Sequence, residues 1–525
     1  MKLGAAALVV LTLASACSNV ESPAAHSNKA LAAGVRRLST AELDAAAADV
    51  LGQPLALSSV LPPDTRQFDF SRNVAQTVDP LTLRALYDAT NAASQTIDLR
   101  RAPFPDCAAS ARPRDAVCVT STIRAVARQA FRRAPTDDEI AKLKGLFDIG
   151  ATDADFSAGA ALVVRALLGS PKFLYETALG DGATGSRISL SDAELASALA
   201  WLVSGQPPDD ELLAAADAGE LRVGGNREQQ AVRLLQKSES RFLLRRFVAE
   251  WFGTVRLDGL AKSSEVVANF ASLRQAMFDE TNEFVDAVMS QQGGSLTALL
   301  AGGFSVVPSA LARLYGIEPT SPGARVALTQ VGRIGILQQG AFLATFAHES
   351  ESAPVLRGKA VLERLLCANL PKPTDLKLNI TFPAPDPHAT TRARYAQHAT
   401  DPVCKGCHVS LDGVGFTFEN FDAIGKRRTT ENGQPIDTSG QLLLAGTTTP
   451  LRDSLDLSRA LADSEEVRTC AARQVVRFAA GQSALDVELG FANSVAKLPL
   501  ERRASVLGLL LEYVKSGWFA TREAR

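Results

Sequence analysis

Helix-starting polar residues stand directly before apolar runs of helical period at three places in the chain. Ser39-x-x-Glu42 opens STAELDAAAADVLG, Thr136-x-x-Glu139 opens TDDEIAKLKGLF, and Ser191-x-x-Glu194 opens SDAELASALAWLV. In each, a hydroxyl and a carboxylate three residues apart can satisfy one another's backbone N–H groups, which fixes where the helix begins. Further helical periods run through 155–169, 226–253, 264–291, 355–367, 465–480 and 500–516, with Gly or Pro between them. Strand-like runs are short and few, around Lys377 to Phe382 and Gln441 to Ala445. The pattern predicts a mainly α fold, a multi-segment helical body with few short strands. Residues 370–391, LPKPTDLKLNITFPAPDPHATT, are too rich in proline for a continuous helix and separate that body from the segment that follows.

Composition adds the compartment. The chain opens MKLGAAALVVLTLASAC, one lysine followed by an apolar run too short to span a bilayer, which predicts a secretory signal over 1–17. Cys17 follows Leu13-Ala14-Ser15-Ala16 and resembles a bacterial lipobox cysteine, although Ala14 stands where that motif usually has leucine. Lipid attachment at Cys17 is the expectation, with ordinary cleavage and a plain signal anchor as alternatives. Residues 18–35 are small and polar and predict a flexible tether. The expected regions beyond it are an N-terminal helical region (36–180), a central helical domain (185–325), a motif region (330–450) and a C-terminal helical region (451–525). The 55 Lys and Arg nearly balance the 57 Asp and Glu, and no basic stripe carries interleaved aromatics, so nucleic acid is excluded as an expected partner. Membrane contact is expected through the N-terminal lipid anchor alone. The expected location is periplasmic or at the outer membrane or cell surface. No G-x-S-x-G, H-E-x-x-H or phosphate loop occurs.

The sharpest motif is DPVCKGCHVSLDGVGFTFENFDAIGKRRT, residues 401–429, in which Cys404, Cys407 and His408 form C-x-x-C-H. Two cysteines three apart can each form a thioether to one haem vinyl group, and the next residue places an imidazole under the iron. A structural zinc would need four N or S ligands, and the histidines here are scattered. A thioredoxin-like pair would need a βαβ setting, which the pattern does not predict. With Cys17 lipidated and Cys404 and Cys407 on haem, Cys107, Cys118, Cys367 and Cys470 remain. An even remainder in an exported chain predicts Cys107–Cys118 and Cys367–Cys470 disulfides, against buried free thiols.

Several long strings resemble a family of large exported bacterial proteins, abundant in planctomycetes and myxobacteria, built from five consecutive domains of unknown function around a planctomycete-type cytochrome c motif. RRLSTAELDAAAADVLG resembles its first segment, and FRRAPTDDEIAKL with LLGSPKFLYE its second. PPDDELLAAADAGEL, RRFVAEWFG and DETNEFVDAV through LARLYGI resemble its third. GRIGILQQGAFLATFAHESESAPVLRGKAVLERLLC and CKGCHVSLDGVGFTFENFDAIGKRRT resemble its fourth, which carries the haem motif. DLSRALADSEEVRTCAARQVVRFAAGQ and VKSGWFATR resemble its fifth. The resemblance implies a cytochrome c-like haem-binding region in an exported, surface-associated protein, and no substrate. Where the family commonly has Asp-Pro after the motif, this chain has Asp412-Gly413, which is expected to change a turn and remove no ligand.

The expected cofactor is therefore haem c, with iron on His408. Met1, Met277 and Met289 all precede the motif, so no downstream methionine is available as sixth ligand. His348 is the first candidate, ahead of His388 and of His398, which is too near His408 in sequence to cross the ring easily. Phe416, Phe418 and Phe421 are read either as porphyrin contacts or as a loop returning to the core. Arg427 or Arg428 is the expected propionate partner. Asp279, Glu283 and Asp286 share a helical face and are read as solvated. The expected function is electron transfer or a redox module at the cell envelope, with a redox partner protein or a small oxidant. A surface binding or scaffold module with structural or no haem, and a haem-dependent oxidase or peroxidase on extracellular material, stay open, so enzyme status is undecided.

Overall fold

A computed structural model describes residues 29–98, 116–151, 156–184, 186–371 and 386–524. The leader with Cys17, Cys107 and the expected strand at 377–382 lie outside these residues. The chain is mainly α-helical and divides into two compact units. One comprises Asn28–Leu244 with Val476–Glu488 and Leu510–Arg525; the other comprises Arg245–Val475 with Leu489–Leu509. No helix among the described residues is long and apolar enough to cross a membrane.

The first unit is built on α1 (Thr40–Leu51), α2 (Pro80–Gln95), α3 (Ala116–Phe131), α4 (Asp137–Gly150), α5 (Phe156–Leu168) and α6 (Asp192–Val203). Ser39, Thr136 and Ser191 cap α1, α4 and α6, each in the reciprocal arrangement with the glutamate three residues on. Leu43, Val50, Ile123, Val126, Phe147, Phe156, Val164 and Leu167 fill the core between the helices. The stretch expected to be a tether is, in its described part, built into the fold. Leu31–Ala32 pairs in parallel with Thr521–Glu523, and Gly34–Arg37 pairs antiparallel with Tyr175–Ala178. The physical reason is apolar burial: Ala30, Leu31 and Ala33 are removed from solvent beside those strands. Arg36, just behind, bridges Glu42 and Glu176, while Arg72 bonds the same two carboxylates. Burial raises Glu176, but Arg36 and Arg72 outweigh it and hold its carboxyl below the usual range.

Two long helical periods are interrupted. Residues 226–253 form Gly224–Leu235 and Ser238–Phe252, and the Ser240 hydroxyl donates to the Leu234 carbonyl across the break (2.7 Å). Residues 500–516 form Leu500–Arg503 and Val506–Lys515, because Ser505 between them pairs with Ser295. The period at 264–291 becomes α7 (Phe270–Gln292), whose start is set by the Asn269 side chain accepting from the Ser272 N–H. On α7, Asp286 is paired with Arg245, and Glu283 is half exposed.

The second unit also holds α8 (Pro354–Leu365), α9 (Pro402–Gly415) and a hairpin of Gly440–Leu444 with Thr447–Leu451, the last matching the expected strand near 441–445. A 2.04 Å disulfide joins Cys367 to Cys470. Helices α8 and α9 cross at backbone contact: a Cβ on Gly358 would stand 2.0 Å from the Leu411 carbonyl oxygen, and one on Gly415 would stand 2.0 Å from that of Pro354. Gly413 lies within α9 and meets Gln441 of the hairpin, so the expected turn at Asp412-Gly413 is a helix instead. Glycine there shortens the helix-to-hairpin distance rather than reversing the chain.

Glu280 of α7 is fully buried in this unit. The Ser305 hydroxyl donates to Oε1 (2.9 Å), and the Tyr315 hydroxyl to Oε2 (2.5 Å) while accepting from the Gly340 N–H (2.7 Å). Burial pushes its carboxyl from 4.5 to about 7, against the lowering effect of Tyr315, Ser305 and Arg333. A raised carboxyl keeps its proton in the folded state after the unfolded chain has lost it. Its contribution is therefore complete below pH 4.5 and falls by about 3 kcal/mol as pH rises through 7. Denaturant unfolding at pH 5 and pH 8 should show this loss in the wild type and lack it in Glu280→Gln; an unchanged slope in the variant would assign the pH dependence elsewhere.

Candidate functional site

The C-x-x-C-H motif occupies the first two turns of α9. Asp401 precedes the helix and accepts from the Cys404 N–H (3.2 Å), and Pro402 takes the first helical position, where a missing N–H costs nothing. Spacing along the helix then puts Cys404, His408 and Asp412 on one face, at successive intervals of four. His408 Nδ1 lies 2.9 Å from Asp412 Oδ1.

A second imidazole meets the same carboxylate. His398, on the short helix Gln397–Thr400, places Nδ1 3.0 Å from Asp412 Oδ2, and its ring centroid is 3.7 Å from that of His408, tilted by 43°. Tyr395 packs edge-on against His398 at 5.0 Å. The ligand atoms of His398, His408 and Asp412 all lie within 4.8 Å of one another, a potential metal-holding group among the described residues. The side chains of Asp412, His398 and His408 are 13, 12 and 20% exposed. Burial alone would raise the Asp412 carboxyl, but hydrogen bonds from the two histidines outweigh it and hold the group below the usual carboxylate range. Burial, with Asp401 and Asp412 nearby, pushes the Cys404 thiol up.

The segment carrying His398 is tied down from two sides. Glu431 accepts from the Thr391 N–H (2.6 Å) and hydroxyl (2.8 Å), and Arg394 pairs with Glu351 at 3.0 Å. Beyond the motif, Phe416, Phe418 and Phe421 are buried in protein: Phe418 meets Phe342, Phe421 lies under the Arg333 guanidinium, and Phe416 under that of Arg392. Of the two earlier readings of this segment, the loop returning to the core describes these contacts.

Two buried arginines grip that loop. Arg357 donates to the carbonyls of Phe418 (3.1 Å), Phe421 (2.8 Å), Asp422 (2.6 Å) and Leu343 (3.1 Å). Burial pulls its guanidinium down to about 10. Arg333 lies 3.8 Å over the Tyr315 ring and donates to the carbonyls of Gln338 and Gly425. Arg428 is committed to Glu419 and Glu431, whereas Arg427 is exposed with its guanidinium beside Gly332.

The other expected site residues fall as follows. Cys404 is a free thiol, whereas Cys407 and Cys118 are disulfide-bonded. His348 is exposed, its carbonyl accepting from Lys262 Nζ (2.8 Å), and His388 is also exposed. The histidine brought against His408 is thus His398. Sequence reasoning passed over Asp412, Arg333 and Arg357; the four-residue interval from His408 to Asp412 was the available signal, and it speaks only once the segment is read as helix.

Family comparisons match residues 36–98 to PSD3 (protein of unknown function, DUF1587), 118–177 to PSD5 (DUF1595), 190–317 to PSD4 (DUF1592) and 333–431 to PSCyt3 (DUF1588), each described as a protein of unknown function. No curated protein and no solved structure matches the chain. Cys404, Cys407, His408, His398 and Asp412 all fall within the PSCyt3 match. The chain thus carries four consecutive domains of the planctomycete cytochrome-associated PSD and PSCyt series, in the order PSD3, PSD5, PSD4 and PSCyt3.

Proposed function

We propose that this chain is an exported c-type haem protein, an electron-transfer or redox module of the cell envelope anchored by lipid at Cys17. Cys404 and Cys407 are its thioether anchors and His408 its iron ligand. The observation that carries the reading is the state of His408: its Nδ1 is engaged by Asp412, which leaves Nε2 as the nitrogen available to a metal. The neighbouring donors suit the same group. Cys404 is a free, partly exposed thiol one turn before His408. Cys407 forms a thioether only when reduced, so its disulfide and its haem bond are alternative states of one sulfur.

Haem bound there supplies a one-electron iron couple. The chain's residues hold and orient it. Arg333 and Arg357 fix the loop behind α9 through four of its carbonyls and tie it to those of Gln338 and Leu343, and Arg427 is an exposed cation available to a propionate. Electrons pass to or from a partner protein or a small oxidant in the envelope. The test is the absorption spectrum of the protein made in a host with haem c maturation, oxidised and reduced, before and after acid-acetone extraction. Colour retained on the denatured polypeptide is the expected result; low-spin native bands would favour electron transfer with a sixth ligand, and high-spin bands an open iron that meets a small oxidant. Colourless polypeptide would turn the reading towards a surface scaffold.

A further inference from the structure

Asp412 stands between two imidazoles, and the geometry constrains all three groups. An ionised carboxylate only accepts hydrogen bonds, so a short contact to an imidazole nitrogen requires a proton on that nitrogen. Asp412 makes such contacts to Nδ1 of His408 through Oδ1 and to Nδ1 of His398 through Oδ2. Each ring therefore carries a proton on Nδ1, and Nε2 is the nitrogen left to a ligand. The site is sheltered, which strengthens each bond relative to one in water. His398 also stands beside His408, ring against ring. It cannot approach a metal on His408 from the opposite side without abandoning Asp412.

We propose that Asp412 is the positioning residue for His408, with His398 as the second donor that moderates it, so that His398–Asp412–His408 acts as a unit setting the donor strength of the iron ligand. This rests on the haem reading given above. A carboxylate on the far nitrogen of a metal-bound imidazole fixes the ring's orientation and raises its basicity. A more basic ligand favours the more highly charged metal, so Asp412 holds the couple towards ferric iron. His398 draws on the same carboxylate through its own N–H, which weakens the bond left for His408. The two residues therefore act in opposite directions. A merely structural role would move the potential the same way whichever residue was lost.

The experiment uses the full chain with haem attached, and measures midpoint potential in the wild type, Asp412→Asn and His398→Phe. Asp412→Asn should retain covalent haem and raise the potential, by about a tenfold change in the ferrous to ferric ratio, which is 59 mV for a one-electron couple. His398→Phe should lower it. Shifts of the same sign in both variants, or no shift in Asp412→Asn, would overturn the proposal. A second measurement does not depend on haem: nitrogen NMR of the haem-free chain should find the His408 proton on Nδ1 in the wild type and lose that preference in Asp412→Asn. If the wild type holds no covalent haem but shows this tautomer pattern, the haem reading fails while the positioning role stands. If the proton is on Nε2 in the wild type, the positioning role fails whatever the haem content.

Discussion

Replacing Cys404 and Cys407 together by serine is expected to abolish haem retention under denaturing extraction, from full retention in the wild type to none. Serine keeps the shape of each side chain and removes the sulfur that a thioether requires. Both positions are partly exposed on the first turns of α9. Cys404→Ser is expected to change folding stability by no more than about 0.5 kcal/mol, whereas Cys407→Ser, in protein without haem, also removes a disulfide, at a cost of about 2–5 kcal/mol. Each single variant keeps one sulfur and should keep haem by one bond. Haem content after acid-acetone extraction, measured beside the thermal midpoint, checks the prediction. Retained colour in the double variant would place the covalent bond elsewhere, and loss of colour with loss of folding would make the result a stability effect.

Gly358→Ala is expected to have the largest effect on folding. Alanine in an open helical position is better than glycine by up to about 1 kcal/mol, so the default sign is stabilising. At Gly358 the added Cβ would stand 2.0 Å from the Leu411 carbonyl oxygen and 3.1 Å from the Gly415 backbone nitrogen, and both obstacles are backbone of α9. The helices must separate, taking the buried Leu362, Leu365 and Leu411 out of their packing. Overpacking of that kind costs about 1–3 kcal/mol, and lost packing adds to it. Because α9 carries Cys404, Cys407 and His408, less haem should be incorporated as well. Gly145→Ala is the control, since that exposed helical position has no atom within 4 Å of its Cβ. Chemical denaturation should show a large loss for Gly358→Ala and none for Gly145→Ala; equal behaviour would remove the close crossing as the reason for glycine.

What the sequence made legible was local. The three capping boxes put helix starts at Ser39, Thr136 and Ser191 because the whole signal lies within four residues. The breaks at 236–237 and near Ser505 were hidden, since a side chain bonding across a gap and a pairing with Ser295 are contacts that periodicity cannot express. The tether failed at its end for the same reason: small residues that suit a linker also suit burial, and the partner strands at 175–178 and 521–523 are far along the chain.

At the site, the motif itself was fully visible, and its support was not. His398 was set aside because ten residues are too few to carry an imidazole around a haem. That argument excluded one position, and left unasked whether a short helix would fold His398 back against its neighbour. Asp412 was hidden by the expectation of a turn at Asp412-Gly413. Arg333 and Arg357 carry no motif at all; they matter because the loop after α9 turns so tightly that its carbonyls need buried donors.

The most direct measurement uses a feature of the motif: Lys405 lies between the two cysteines. Trypsin cuts after Arg394, Lys405 and Lys426, so Cys404 and Cys407 fall on separate peptides, 395–405 and 406–426. Protein made with haem c maturation is reduced, alkylated, digested and analysed by mass spectrometry with visible detection. Covalent haem on both cysteines predicts that the two peptides stay joined after reduction, travel with haem absorbance and carry no alkyl group on either sulfur. Two separate colourless peptides, each alkylated at its cysteine, would contradict the account.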